Sequence, residues 1–134
     1  VENFLIEKMV DKPVAELLVG IRRDEAFGLT MVIGSGGTLV ELVADAATLL
    51  LPVTMESISE AIDTLKVSKL LDGFRGAAKA DRVALINVIM ALARFAEDNS
   101  DTLVELDVNP LMVMPDGVCA VDVLLRIGAK KNNR

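Results

Sequence analysis

The spacing of hydrophobic residues changes twice along the chain. Up to about residue 53, short apolar runs are separated by turn-forming residues, which is typical of strands. The runs at residues 4–10 (FLIEKMV), 14–22 (VAELLVGIR) and 28–34 (GLTMVIG) predict three strands, and residues 48–53 predict a shorter one. The turn composition of residues 11–13 (DKP) favours antiparallel pairing of the first two runs. Three consecutive strands predict a meander.

Beyond Thr54 the apolar spacing becomes helical. Ser57 and Glu60 have the spacing of a capping box, so an amphipathic helix is expected to begin here. A second short helix is expected over residues 67–74, broken by Gly73 and Gly76. The apolar positions of the first helix fall at i, i+3, i+4 and i+7: Ile58, Ala61, Ile62 and Leu65.

A longer helix is predicted from a cap at Asp81 through Phe95 and Ala96. Its apolar residues cover most of the helix circumference, so it is expected to be largely buried. Strands, then helices, then a final pair of strands predict an α+β fold, in which helices cover one face of a mostly antiparallel sheet.

The final pair of strands lies between residues 103 and 127 (LVELDVNPLMVMPDGVCAVDVLLRI), with turn chemistry at residues 115–117. Alternation places Glu105, Asp107 and Asn109 on one face of the first strand, and Val104, Leu106 and Val108 on the other. The side-chain oxygens of these three residues would form a row on one face, which suits a hard cation such as Mg²⁺ with a bound phosphate. The alternative is a solvated sheet face followed by an ordinary Asn-Pro turn, and the pattern alone favours that alternative.

The register of this hairpin decides whether a second candidate ligand, Asp122, joins the same face. A three-residue turn pairs Met114 with Val118, which places Asn109 opposite Val123 and leaves Asp122 facing Pro110. A one-residue slip, or a bulge at the Asn-Pro step, brings Asn109 and Asp122 to one face. The sequence permits either arrangement.

Composition narrows the classes of function. The net charge of −6 and the absence of Trp and Tyr leave neither a basic stripe nor an aromatic platform for nucleic acid. The absence of His removes imidazole as base, nucleophile or metal ligand. No apolar run reaches the roughly 20 residues of a membrane span. The single cysteine, Cys119, is expected to be a buried hydrophobe in a reducing, cytoplasmic compartment.

Two further motifs carry candidate chemistry. Successive glycines in residues 34–37 (GSGG) let backbone amides converge on an anion, although a flexible turn is the more economical interpretation of so short a motif. Glu16 and Arg22 share a face of the second strand, where a cross-face charge pair is the simplest explanation of both.

Four segments in this order resemble the second lobe of the ATP-grasp domain in NDP-forming acyl-CoA synthetases, relatives of the succinyl-CoA synthetase beta subunit. They are ELLVG at residues 16–20 with Arg23-Asp24, GSGG at 34–37 with Val40-Glu41, LLDGFRG at 70–76, and ELDVNPL at 105–111 followed by Asp122. Each segment alone is only a weak match to the family, but the four segments in this order cover nearly the whole chain.

The resemblance implies a nucleotide site and a metal site. Asn109 and Asp122 match the family's Mg²⁺ ligands, and Asp107 matches the acidic residue two positions before the Asn. The other implied nucleotide-binding residues are Glu7, Lys8 and Met9 at an adenine-binding hinge, Glu16 on the strand facing the nucleotide, and Gly36, Gly37 and Glu41 near the phosphates.

The resemblance also implies that residues 1–129 are an ATP-grasp C-terminal subdomain of a longer protein, followed by a polar tail at 130–134. The cofactors would be ATP and Mg²⁺, and the parent would make an acyl-CoA from a carboxylic acid, CoA and ATP. An upstream ATP-grasp lobe and a CoA-binding domain would complete the site, with acyl-CoA or acyl phosphate bound by other domains. The fragment alone is expected to be inactive. A regulatory or scaffold module fused to an acetyltransferase is the alternative.

Overall fold

The computed structural model describes residues 2–37 and 44–129, so the predicted polar tail and Glu41 lie outside the described residues. Its centre is one sheet in which every described pairing is antiparallel and the strand order is β3-β2-β1-β4-β5, with β6 pairing β4 as well. The predicted α+β class is confirmed. The strands are β1 (Ala15–Asp24), β2 (Gly28–Ser35), β3 (Ala46–Leu50), β4 (Leu103–Met114), β5 (Gly117–Ala120) and β6 (Val123–Ile127).

The helices lie between β3 and β4 in the chain. They are α1 (Met55–Thr64), the single turn α2 (Ser68–Leu71), a 3₁₀ turn (Phe74–Gly76) and α3 (Arg82–Asp98). Apolar side chains from α1 and α3 pack with alternate residues of β1, β2 and β4 in one core, so the helices cover a single face of the sheet. None of these helices is long and apolar enough to cross a lipid bilayer.

The predicted strand at residues 4–10 is wrong. Residues 2–13 contain neither helix nor strand, and Phe4, Leu5 and Ile6 are each at least 84% exposed. The reason is that β1 already pairs with β2 on one side and β4 on the other, so no edge beside β1 is free for this segment. The meander therefore consists of β1, β2 and β3.

Helix α1 begins earlier than predicted. Its N-cap is Thr54, whose hydroxyl accepts the Ser57 N–H while the Ser57 side chain accepts the Thr54 N–H, so the capping box lies three residues before the predicted one. Asp81 caps α3 as predicted by accepting the Ala84 N–H at 3.0 Å. The expectation that α3 is largely buried is wrong on its outer side, because the helix lies on one sheet face and leaves Val83 69% exposed.

The last hairpin has a shorter turn than the one that was expected. Met114 pairs with Gly117, not with Val118, so the whole return strand shifts by one residue. In β4, a bulge sets Asn109 and Pro110 together opposite Leu18 of β1. A second irregularity near Val104 puts Leu103 in the core and leaves Val104 half-buried, which corrects the strict alternation predicted for this strand.

Strand β6 is the outermost strand beside the first half of β4. In the described part of the chain it pairs only with β4. All five of its residues are exposed, and four of them are apolar: Val123, Leu124, Leu125 and Ile127. The sheet thus ends on this side in an apolar strand that none of the described helices covers.

Candidate functional site

The face of the sheet opposite the helices contains a concavity of about 510 Å³. Polar side chains from β1 and β4 meet apolar ones there, which is the usual composition of a small-molecule site. The residues that line it are Leu18, Gly20, Arg22, Thr30, Val32, Asp107 and Asn109. We call this side of the sheet the open face.

The shifted hairpin register brings Asn109 and Asp122 directly opposite each other. The Asn109 N–H donates to the Asp122 carbonyl at 3.0 Å, and the Val121 N–H donates to the Pro110 carbonyl at 3.1 Å. The pairing continues with Val108 opposite Val123, so Asp122, which lies between β5 and β6, is next to Asn109 across the strands, whereas the concavity itself is lined by Asp107 and Asn109. The one-residue slip that the sequence permitted is therefore present, whereas the bulge at Asn109–Pro110 lies in the pairing of β4 with β1.

Asp107 lies one alternation earlier on the same face of β4. It pairs with Gly20 of β1, and its Oδ1 lies 3.6 Å from where a Cβ on Gly20 would be. No cluster of three or more His, Cys, Asp or Glu side chains able to hold a metal occurs among the described residues. A cation at Asp107 and Asp122 would therefore need the amide oxygen of Asn109 as its third protein ligand, and such an oxygen-only set suits Mg²⁺.

The segment Gly34–Gly37, called here the glycine loop, is tightly packed, contrary to the flexible-turn alternative. A side chain on Gly34 would lie 2.7 Å from the Asp45 carbonyl, and one on Gly36 would overlap the Leu17 carbonyl. Gly37 has a φ of +83°, and a side chain there would overlap the Glu16 carboxylate. These glycines are required by close approach of neighbouring atoms.

The amides of the glycine loop bond to other parts of the protein. The Gly36 N–H donates to the Glu16 carbonyl at 2.8 Å, and the Gly37 N–H donates to Asn109 Oδ1 at 3.2 Å. These two N–H groups therefore already have protein acceptors and do not converge on an open anion site. A carbonyl oxygen has two lone pairs, so Asn109 Oδ1 can accept Gly37 and still bind a cation, and the hydrogen bond orients it for that.

A buried carboxylate anchors the glycine loop. Asp45 is 9% exposed and accepts hydrogen bonds from Ser35 Oγ (2.7 Å), Lys66 N–H (2.8 Å) and Val67 N–H (3.0 Å). Burial raises the pKa of Asp45, but these hydrogen bonds and the Lys66 charge outweigh it and leave the pKa below its ordinary value. The Asp45 carbonyl also accepts the Ser35 N–H at 2.9 Å. No sequence pattern predicted a role for Asp45.

The predicted Glu16–Arg22 pair is also wrong. Arg22 Nη2 contacts Glu105 Oε1 at 2.7 Å, and Arg126 Nη2 contacts Glu105 Oε2 at 3.0 Å, so one carboxylate holds two arginines across three strands. Glu105 is 8% exposed. It is therefore an ion-pair partner, whereas the sequence pattern had grouped it with Asp107 and Asn109. Glu16 lies instead against Gly37.

The predicted hinge residues lie at the end of the open face that is nearer the β4–β5 turn. Glu7, Lys8 and Met9 line a second concavity, of about 370 Å³, together with Met112 and the segment from Cys119 to Val121. Cys119 is only partly buried, which corrects its expected burial. The hinge segment and Asn109 therefore lie along the same strand pair, with the hinge nearer the β4–β5 turn.

The chain is similar to known proteins over nearly all of its length. A family profile described as the ATP-grasp domain matches residues 1–127. The chain is 33% identical over 128 residues to acetate–CoA ligase [ADP-forming] I of Archaeoglobus fulgidus, and 35% identical over 128 residues to 4-hydroxybutyrate–CoA ligase [ADP-forming] of Nitrosopumilus maritimus. Both alignments cover 96% of this chain but only 18% of the relative.

The fold also matches a solved structure. The fold matches dinucleotide-forming acetyl-coenzyme A synthetase 1 of Ca. Korarchaeum cryptofilum, in complex with coenzyme A and Mg-AMPPCP, with a TM-score of 0.81 and 33% identity. The match covers 87% of this chain and 54% of that one. With the family profile spanning nearly all of its residues, the chain belongs to the ATP-grasp domain family.

Proposed function

We propose that this chain forms one wall of a Mg-ATP site in an NDP-forming acyl-CoA ligase. The observation that carries the proposal is the backbone hydrogen bond that joins Asp122 to Asn109, which lines the same concavity as Asp107. The side-chain oxygens of Asp107, Asn109 and Asp122 would hold Mg²⁺, which would supply neutralisation of phosphate charge for phosphoryl transfer. The chain's own contribution is to hold Asn109 Oδ1 in place through the Gly37 N–H.

The nucleotide would lie along the β1–β4 strand pair. In this proposal the adenine binds beside Glu7, Lys8 and Met9, and the phosphates reach the glycine loop at Gly36 and Gly37. Supporting this direction, the hinge concavity adjoins Met112, three residues along β4 from Asn109. At a rise of about 3.3 Å per residue this is at most about 10 Å, because the bulge at Asn109–Pro110 shortens the strand there.

The parent activity is part of the proposal, since the chain spans only 18% of the length of the two ligases compared above. An upstream ATP-grasp lobe would form the second wall, and a CoA-binding domain and an acyl or acyl-phosphate site would lie elsewhere in the protein. We also propose a cytoplasmic location. The relatives are ligases, which favours a ligase over the regulatory acetyltransferase-fused module.

Replacing Asp122 with Asn in the full-length protein tests the metal assignment. Asp122 is exposed, so we expect the urea midpoint to stay within the error of measurement. If its carboxylate holds the cation, turnover should fall by about 100-fold or more and the Mg²⁺ dependence should move to higher concentration. Asp116→Asn, at an exposed position in the same hairpin, is the matched control. Unchanged turnover and Mg²⁺ dependence in Asp122→Asn would show that the assignment is wrong.

The isolated chain offers a second test. One wall buries much less of a nucleotide than an enclosed pocket does, so we expect the 134-residue chain to bind Mg-ATP only weakly and not to turn it over. Calorimetry on the chain and on the full-length protein would measure the difference. Equal, tight binding by both would contradict a site that needs a second lobe.

A further inference from the structure

The turn of the last hairpin does not by itself fix the register of the return strand. Residues 115–117 suit both the observed turn, in which Met114 pairs with Gly117, and a turn that is one residue longer. The choice matters, because a shift of one residue moves every side chain of a strand to the opposite face of the sheet. With the longer turn, Asp122 would no longer lie opposite Asn109.

Apolar burial does not decide the register of β6 either. Its four apolar residues occupy both faces of the strand and are all exposed to a similar degree: Val123 53%, Leu124 56%, Leu125 46% and Ile127 50%. Burial specifies a register where one face of a strand is covered and the other is not. Neither face of β6 is covered in this way, so a different interaction must select the observed register.

The one charged residue of β6 does distinguish the two registers. Arg126 lies opposite Glu105, and its Nη2 contacts Glu105 Oε2 at 3.0 Å. With the longer turn, Arg126 would instead lie opposite Leu106, which is 4% exposed and belongs to the core. The shift would therefore separate the ion pair and move a charge to the apolar face of the sheet.

Glu105 is itself held in position by a third strand. Its side chain is 11% exposed, and its other oxygen, Oε1, contacts Arg22 Nη2 at 2.7 Å. Because Arg22 belongs to β1, which pairs with both β2 and β4, this contact fixes the carboxylate to the middle of the sheet. Loss of Arg126 would leave one oxygen of a largely buried carboxylate without its cation, which is unfavourable.

We propose that Glu105 and Arg126 are positioning residues, whose ion pair selects the register that brings Asp122 beside Asn109. Asp122 precedes Arg126 by four residues, and its carbonyl accepts the Asn109 N–H at 3.0 Å only in this register. The pair acts through the position of Asp122 and does not itself contact a cation. The selection of the register depends on the strand pairing alone, whereas its effect on Mg²⁺ rests on the proposed function.

Engineered disulfides measure the register directly. In the full-length protein with Cys119→Ala, Val108→Cys combined with Val123→Cys reports the observed register, because these two residues are directly opposite. Val108→Cys combined with Leu124→Cys reports the shifted register, because these side chains point to opposite faces in the observed one. Residues directly opposite in an antiparallel pair lie within the Cα range of a disulfide. A thiol redox buffer keeps the two cross-links in proportion to the two populations.

We expect Arg126→Leu to raise the yield of the shifted cross-link at least about tenfold, as the loss of a charged hydrogen bond does. Glu105→Gln should show the same shift, whereas Arg126→Lys, which retains the charge, should remain near the wild-type yield. Arg94→Leu, at an exposed position on α3, is the control for loss of an arginine. Urea midpoints show that each variant is folded. If Arg126→Leu and Glu105→Gln give the wild-type yields of both cross-links, the proposal is refuted.

The consequence for the metal is measured without engineered cysteines, as the Mg²⁺ dependence of binding a non-hydrolysable ATP analogue. In Arg126→Leu it should shift to higher Mg²⁺ concentration, because only the molecules in the observed register retain the site. A merely structural role would lower the urea midpoint and leave the Mg²⁺ dependence of the folded protein unchanged. A shifted register with wild-type Mg²⁺ dependence would refute Asp122 as a metal ligand, and with it the proposed metal site, while the role of the ion pair in the register would stand. Unchanged cross-links with normal Mg²⁺ binding would refute the positioning role alone.

Discussion

Replacing Asp45 with Asn tests how much one buried carboxylate stabilises the glycine loop. The Asn carbonyl can still accept the Lys66 N–H, but its NH₂ group then faces the Val67 N–H, which loses its acceptor. A buried donor left without a partner costs about 1–3 kcal/mol, and the remaining bonds lose their charge assistance. We therefore expect the free energy of unfolding to fall by about 3 kcal/mol at neutral pH.

The effect should depend on pH in a defined direction. The folded-state pKa of Asp45 is lowered, so its ionised carboxylate contributes stability above the unfolded-state pKa of about 3.9. That contribution is lost as the pH falls through the folded-state pKa. The difference in unfolding free energy between wild type and Asp45→Asn should therefore be constant from about pH 5 to pH 7 and shrink below about pH 4.

Urea unfolding of both proteins at several pH values measures this difference. At a typical slope of about 1–3 kcal/mol per molar urea, the midpoint should fall by about 1–3 M at pH 7. Ser35→Ala removes only the hydroxyl contact and should cost about 1 kcal/mol, which provides a milder variant that stays folded. A loss below about 1 kcal/mol in Asp45→Asn, or a difference that persists unchanged to about pH 2, would refute the reasoning.

Four further substitutions test the packing and one helix cap. Gly37→Ala should cost about 1–3 kcal/mol and weaken Mg-ATP binding in the full-length protein, because of the positive φ and the Glu16 contact; calorimetry showing wild-type affinity would contradict it. Asp81→Ala should lower the unfolding free energy by about 1 kcal/mol through the lost cap of α3, measured in urea. Ile89→Ala, fully buried, should cost about 2–5 kcal/mol, whereas Val83→Ala on the exposed side of the same helix should stay within about 0.5; equal losses would contradict the one-sided packing.

The elements that could be predicted are those with a strong local signal. Helix α3 has both a capping aspartate and a long apolar repeat, and β1 and β2 are short apolar runs bounded by turn residues, so each was placed within a few residues. The segment at residues 4–10 has the same apolar content as a strand. Whether this segment forms a strand depends on whether the edge of β1 is free. That edge is already paired with β4, which lies nearly 90 residues farther along the chain than β1.

The candidate site depends on similar long-range details. Whether Asn109 and Asp122 oppose each other is decided by a single residue in the turn at Met114 to Gly117, and both turn lengths suit that sequence. The role of Asp45 has no signature in the sequence, because two of the three groups that donate hydrogen bonds to it are backbone amides, which any residue could supply. In the alternating pattern of β4, Glu105 falls on the same face as Asp107, so the pattern cannot separate an ion-pair partner from a candidate metal ligand. The ion pairs of Glu105 with Arg22 and Arg126, on neighbouring strands, make that distinction.

The uncovered strand β6 has a consequence for the chain in solution. Among residues 2–37 and 44–129, no strand pairs with the outer edge of β6, and its side chains are apolar on both surfaces. Such an edge is a template for pairing with another extended chain, including a second copy of itself. Its sequence, VLLRI, interrupts the apolar run with a single charge, at Arg126, and contains no proline. Concentrated solutions of the isolated chain are therefore prone to form oligomers and aggregates through this edge, and a lysine introduced there would oppose them.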